Sequence, residues 1–226
     1  MKQRPCSVLG KKPCYDHFMG SGKGKARRAK ASVAAAPASA AQPVVFADGR
    51  KEWRDSNDQL HREDAPAIEY ADGRKEWYEH GKQHRVGGPA SELANGTRSW
   101  CEHGQFHRVG GPAIEFSSGR KDWYRHDRLH REDGPAKEWA DGTKEWYQNN
   151  LMHRADGPAI ESASGDRMWY ERGKLHRVDG PARELADGTK EWWLNGEKVD
   201  EEVVRNTAAL ERLGDVQLEP LERVTF

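Results

Sequence analysis

The chain is poor in the residues that build ordinary hydrophobic cores. Ile, Leu, Val and Phe together number 32 of 226 residues, about a seventh, a share that usually signals disorder. Disorder of that kind comes with an excess of one charge, and none is present: 37 basic side chains balance 37 acidic ones. Cysteine is scarce as well, and Cys6, Cys14 and Cys101 cannot make a disulfide framework. No apolar run reaches the ~18 residues of a membrane span, and the N-terminal stretch has no apolar segment resembling a secretory signal. These absences argue against a large-cored enzyme, a disulfide-stapled scaffold and a helical membrane protein. They predict a soluble chain in a reducing, cytoplasmic setting.

What the chain does have is tryptophan at a fixed period. Seven of its nine Trp mark successive units: Trp53, Trp77, Trp100, Trp123, Trp146, Trp169 and Trp192. A His-Arg pair follows six of them, led by His61, His84, His107, His130, His153 and His176, every 23 residues. Pro-Ala comes next, at Pro66, Pro89, Pro112, Pro135, Pro158 and Pro181. Such a period means stacked supersecondary units whose core is a thin seam between neighbours, which removes the need for many aliphatic residues.

Two turns and a kink are legible in each unit. The first turn carries Gly at Gly49, Gly73, Gly96, Gly119, Gly142, Gly165 and Gly188, positions that call for positive φ. Charge chooses its register. A three-residue loop faces Glu69 with Lys75, Glu92 with Arg98, Glu115 with Lys121, Glu138 with Lys144, Glu161 with Arg167 and Glu184 with Lys190. A two-residue loop would set Glu69 against Glu76. The second turn, at His80-Gly81 and its equivalents, reads as a two-residue loop that places Trp77 opposite His84 and Glu76 opposite Arg85. In the first unit the extra residue between Trp53 and His61 is absorbed by a three-residue loop, Ser56-Asn57-Asp58. Pro supplies no ladder donor, so the Gly-Pro-Ala stretch predicts a long strand bent there, pairing backward before the kink and forward after it; a three-stranded meander is the alternative. Lys or Arg stands two residues before each Trp, and its stem is expected along the indole.

The predicted fold is therefore all-β: an elongated array of β-hairpins, as an open sheet or solenoid, over residues 43–199. Residues 200–226 form a C-terminal cap, with a helix over about 201–213. Asp200 is its N-cap, and Val203, Thr207 and Leu210 lie on one side with Val204 nearby. Residues 1–42 read as a disordered basic arm followed by an Ala/Ser/Pro linker. Residues 1–43 hold nine basic side chains and one acid, leaving the rest of the chain at −8. Lys23, Lys25, Arg27, Arg28 and Lys30 are the candidate contacts for an anionic partner.

A unit of the form Trp-x-x-Asn/His-Gly-Lys-x-His-x-x-x-Gly followed by an Asp-Gly turn, best seen at residues 77–88, 146–157 and 169–180, resembles the membrane occupation and recognition nexus (MORN) repeat. The His-Arg and Gly-Pro-Ala variant also resembles repeat proteins of large DNA viruses and bacteriophages. The resemblance covers about residues 44–200 and implies a β-hairpin array used for scaffolding, protein contacts or anionic lipid binding. Two departures separate this chain from the ordinary unit. Arg62, Arg85, Arg108, Arg131, Arg154 and Arg177 stand where Gly follows His, and the spacing from Trp to His is one residue longer.

Hidden chemistry is sparse. His80 and His84, His103 and His107, and His126 and His130 are each four apart, a zinc spacing on a helix, but each pair straddles a β-turn, so packing of the second His against Trp is the reading and no metal is assigned. Cys6, Cys14 and His17 are too loosely spaced for a ligand set. Gly20-Ser21-Gly22-Lys23 lacks the Ser/Thr and the strand–loop–helix setting of a phosphate loop. No nucleophile or acid–base pair stands out, and no cofactor is implied. The expectation is a non-enzymatic scaffold or adaptor that binds a protein partner through the array, with Cys101, Trp139 and Met168 as irregular positions lending specificity. Nucleic-acid or anionic-membrane binding through the basic arm is the alternative.

Overall fold

A computed structural model describes residues 42–214, with side chains to Leu210. The array is all-β. Fifteen short strands form one antiparallel sheet, and five two-stranded hairpins project from it among the described residues. The helix Glu201–Gly214 follows the last strand.

Both turns have the expected register. Glu69 faces Lys75 and Ile68 faces Glu76, with Tyr70 N donating to Arg74 O at 3.0 Å and Gly73 N to Tyr70 O at 3.1 Å. That is a three-residue loop closed by a left-handed residue, and Gly73 sits at φ +90°. At the second turn Glu79 faces Lys82, and His80 and Gly81 lie at φ +46° and +75°, the two positive values of a type I′ turn. His84 N donates to Trp77 O at 3.1 Å, and the same bond recurs in all six units at 3.0–3.1 Å. In the first unit Arg54 bridges Leu60 and Asp58 takes the left-handed position, which leaves Trp53 opposite His61.

The Pro-Ala segment differs from the bent strand expected for it. Residues 84–90 form a loop, and the strand that follows, Ser91–Glu92, pairs backward with Lys75–Glu76 and forward with Arg98–Ser99. Each unit thus adds two strands to the long sheet and one hairpin beside it. Trp77 is the pivot between the two: its N–H donates at 2.8 Å to the carbonyl of Ala90, just ahead of the strand Ser91–Glu92, while its carbonyl accepts from His84 beside the hairpin. For this reason Glu76 never meets Arg85; the ladder has changed partners one residue earlier.

Pairing in both directions extends the charge ladder between units. Glu69 lies between Lys51 and Lys75, and Glu92 between Lys75 and Arg98. The pattern continues to Glu184, between Arg167 and Lys190. Like charges never face each other along this row, and the alternation penalises a one-strand slip.

The core is a column of alanines. Ala67, Ala90, Ala113, Ala136, Ala159 and Ala182 are each fully buried, and each accepts a backbone bond from the preceding Trp at 2.8–2.9 Å. Each is enclosed on all sides, so a larger side chain there would have to displace its neighbours, which suits the fixed Ala after Pro.

At the C-terminal end, Trp192 faces Val199 where other units have His, and the strand Lys190–Leu194 runs unbroken into its hairpin. The helix covers this strand through Val204, which is 2% exposed, rather than through Val203 and Leu210, which are 45% and 70% exposed. Val204 is buried and Ala208, one turn on, is half-buried; both line a cleft with Pro181 and Trp192.

Candidate functional site

The recurring polar residues are engaged with one another. In every unit the Arg after His lies over the Trp ring, with guanidinium-to-centroid distances of 3.8 Å for Arg62 on Trp53 and 4.2 Å for Arg131 on Trp123. The same guanidinium donates to the Pro carbonyl four residues on and to the Glu seven residues on: Arg108 reaches Pro112 O at 3.1 Å and Glu115 Oε1 at 2.9 Å. One side chain therefore joins His-Arg, Gly-Pro-Ala and Glu. The Lys or Arg two residues before Trp, expected to stack on the indole, comes near it only at Arg98, 5.7 Å from Trp100; in the six units with His-Arg, Trp100 included, the later Arg covers the ring more closely.

The histidines tie each unit to the next. Nδ1 of His61 accepts the N–H of His80 at 3.3 Å, and His84, His130, His153 and His176 accept from the corresponding turn at 3.1–3.4 Å. An accepting Nδ1 carries no proton, so in the neutral ring the proton is on Nε2. His107 departs from the pattern: its Nδ1 is buried without a partner among the described residues. Burial, with the neighbouring His126, holds His107 below the usual range. The pairs four apart do not converge across their hairpin. The rings that meet are 19 residues apart and belong to successive units, as in His84 and His103. Glu79 and Glu102 join these pairs, a grouping that sequence spacing did not suggest; a 19-residue recurrence of His beside a 23-residue one was the available signal.

The positions that vary fall on a different edge. Phe46, Tyr70, Leu93, Phe116 and Trp139 occupy equivalent places just before the first turn in five successive units; Ser162 interrupts the row and Leu185 resumes it. Leu93 and Trp139 are 38% and 36% exposed. Arg50 and Arg74 lie over Phe46 and Tyr70 at 4.1 Å, and Arg120 spans Phe116 and Trp139 at 3.9 and 4.7 Å. Where the turn carries Thr instead, it bonds the next unit: Thr97 Oγ1 accepts Ser117 N–H at 3.1 Å and Thr143 Oγ1 accepts Ala163 N–H at 3.1 Å.

Of the irregular residues singled out in the sequence, Cys101 is not available to a partner. It is 5% exposed, its Sγ lies 3.6 Å from Gln83 Oε1, and burial pushes its thiol up to about 11. Met168 is partly buried on the strand Arg167–Met168, facing Ile160 and Arg183. Trp139 is at the surface, its Nε1 donating to Glu145 at 3.1 Å.

On the hairpin side, open grooves of about 480, 680 and 740 Å³ separate successive units. Their walls are the His-Arg loop of one unit and the Trp-Tyr strand of the next. Lys23, Lys25, Arg27, Arg28 and Lys30, with Cys6, Cys14 and His17, lie outside the described residues. No described helix is long and apolar enough to cross a membrane. No protein-family model matches the chain, and no curated protein matches it.

Proposed function

We propose that the chain is a non-enzymatic repeat scaffold that holds a protein partner along the first-turn edge of its hairpin array. The observation that carries this reading is the row Phe46, Tyr70, Leu93, Phe116 and Trp139. It sets large apolar side chains of five successive units in equivalent places, on a frame whose recurring Arg and Glu are bonded to each other. Identity varies along the row while the frame recurs, as expected where a particular partner is read rather than where a fold is maintained. Aromatic and aliphatic anchors rimmed by Arg are the usual composition of protein-binding surfaces. The resemblance to MORN repeats points the same way.

The test is capture by the immobilised full-length chain, compared with a Leu93→Ser/Trp139→Ala variant. Proteins retained by the wild type and lost by the variant are the expected result; identical retention counts against the row as the contact.

The charge segregation of residues 1–43 favours a second reading, contact with a nucleic acid or anionic membrane through Lys23, Lys25, Arg27, Arg28 and Lys30. It predicts polyanion binding that weakens steeply with salt and is lost on deletion of residues 1–42. Binding that survives the deletion removes this reading.

A further inference from the structure

The turn of each hairpin rests against the recurring histidine of the unit before it. In three successive units the turn residue is itself a histidine. His80 lies over His61, His103 over His84 and His126 over His107, with ring centroids 4.4, 4.6 and 4.2 Å apart and planes within 16°. Later units place Asn149, Arg172 and Asn195 at the same position, at φ +50°, +48° and +51°. The turn therefore does not require histidine. In two of the three pairs a carboxylate completes a cluster: Glu79 Oε2 is 3.6 Å from His84 Nε2, and Glu102 Oε2 is 3.6 Å from His107 Nε2. One donor atom from each of Glu102, His107 and His126 lies within 4.8 Å of the others, and Glu79, His84 and His103 form the matching group. The remaining pair is held differently, with His80 Nδ1 bound to Asp55 at 2.9 Å.

Two imidazoles and a carboxylate are a donor set for zinc, with a fourth position left to water. Bonds of about 2.0–2.1 Å put tetrahedral donors ~3.3 Å apart, so the groups must close by roughly an ångström or more. Glu102 and His126 are exposed and His107 is partly buried, so the first two swing in while the third anchors. Stacked rings aim their lone pairs alongside one another, and tilting the exposed His126 ring on its turn makes the lone pairs converge.

We propose that Glu102, His107 and His126 form a zinc site that bridges two successive repeat units, with Glu79, His84 and His103 as a weaker copy one unit earlier. The other ring nitrogen sets the order. Coordination through Nε2 requires the ring proton on Nδ1. At His84 that nitrogen already accepts His103 N–H at 3.3 Å, a bond that must be given up. At His107 it has no hydrogen-bond partner among the described residues, so no such bond is lost. Arg125, the cation of the same hairpin that acts on His107, lies 3.4 Å from Glu132. Zinc here would cross-link one hairpin to the turn of the next, so binding should stiffen the array as well as add a ligand.

Zinc affinity is measured on the full-length chain by competition with a chromogenic chelator. A Cys6→Ser/Cys14→Ser background removes thiolates outside the described residues. One tighter and one weaker zinc are expected, with a rise in Tm on saturation. His126→Asn installs the residue type that Asn149 and Asn195 supply in the same turn, so the fold is retained. It should weaken the tighter site roughly tenfold or more and remove most of the Tm rise, whereas His103→Asn affects only the weaker site. Glu102→Gln, at an exposed side chain, should weaken the tighter site without altering Tm in the absence of zinc. Unchanged zinc affinity in both His126→Asn and Glu102→Gln overturns the proposal. So does a Cys-substituted chain that binds no zinc below about millimolar concentration.

Discussion

Replacing Arg131 tests whether one guanidinium per unit holds the repeat together. Its side chain is 22% exposed and lies 4.2 Å over the Trp123 ring. It donates to Pro135 O at 3.2 Å, Glu138 Oε1 at 3.0 Å and Asp133 Oδ1 at 2.9 Å. Asp133 is 86% exposed, so that pair contributes little. Glu138 keeps Lys121 and Lys144 as neighbours, so losing Arg131 costs it less than about 1 kcal/mol. The stacked cation contributes about 1–2 kcal/mol in this half-buried setting, and the Pro135 carbonyl left without its donor costs about 1–2 kcal/mol. Arg131→Met retains an apolar stem over Trp123 and should therefore lose about 2–4 kcal/mol. Arg131→Ala uncovers the ring and should lose about 1 kcal/mol more. Arg131→Lys keeps the charge without the planar fork and should fall between wild type and Arg131→Met. Urea unfolding followed by Trp fluorescence gives the totals. Hydrogen exchange tells whether the loss centres on the Arg131 loop and its two neighbouring units, as nearest-neighbour coupling requires. A loss below about 0.5 kcal/mol for Arg131→Met, the range of ordinary surface changes, would refute the assignment of Arg131 as the joint of its unit.

Ala136 is fully buried in the alanine column, so Ala136→Val should cost about 1–3 kcal/mol by overpacking, read as a fall in Tm; an unchanged Tm would mean the column has room to spare. Burial raises the carboxyl of Asp122 against the pull of Arg120 and Lys137, with Glu145 adding to the rise. The folded chain therefore holds that proton more tightly than the unfolded one, and this group's contribution falls as pH climbs from 3.8 through the raised folded value. Asp122→Asn should gain on the wild type as pH rises above 3.8; parallel stability profiles would contradict the sign. Cys101, with its thiol pushed up to about 11, should be alkylated far more slowly in the folded chain at about pH 8 than in urea. Mass mapping of the Cys101 peptide checks this, and equal rates would show that the thiol is not shielded.

The two turns were legible because their information is local. Glu69 and Lys75 are six residues apart, His80 and Gly81 are adjacent, and a repeated charge pattern excluded the competing register at every unit. The candidate surface was half legible. Trp139 stood out as irregular and lies at the surface, whereas Cys101 stood out equally and is buried. Nothing in the spacing distinguishes these two, because exposure depends on which neighbouring unit closes over the position. The cap shows the same limit. A helix after Asp200 was expected, but Val204 rather than Val203 faces the sheet, and the docking angle of a helix is not written in its own sequence.

Period, turn geometry and the facing of Glu with Lys follow from the amino acids alone, since each rests on residues a few positions apart and on the alternation of an extended backbone. The partners of the long side chains do not. Lys75 and Arg85 are both near Trp77 along the chain, yet Arg85 takes the ring, because Trp77 passes its N–H to Ala90 and its carbonyl to His84 and the loop beyond His84 folds back over the indole. His84 meets His103 rather than His80 because successive units approach within stacking distance while a type I′ turn points its own residues away. Contacts between units are set by how hairpins stack, and it is there that the zinc cluster arises.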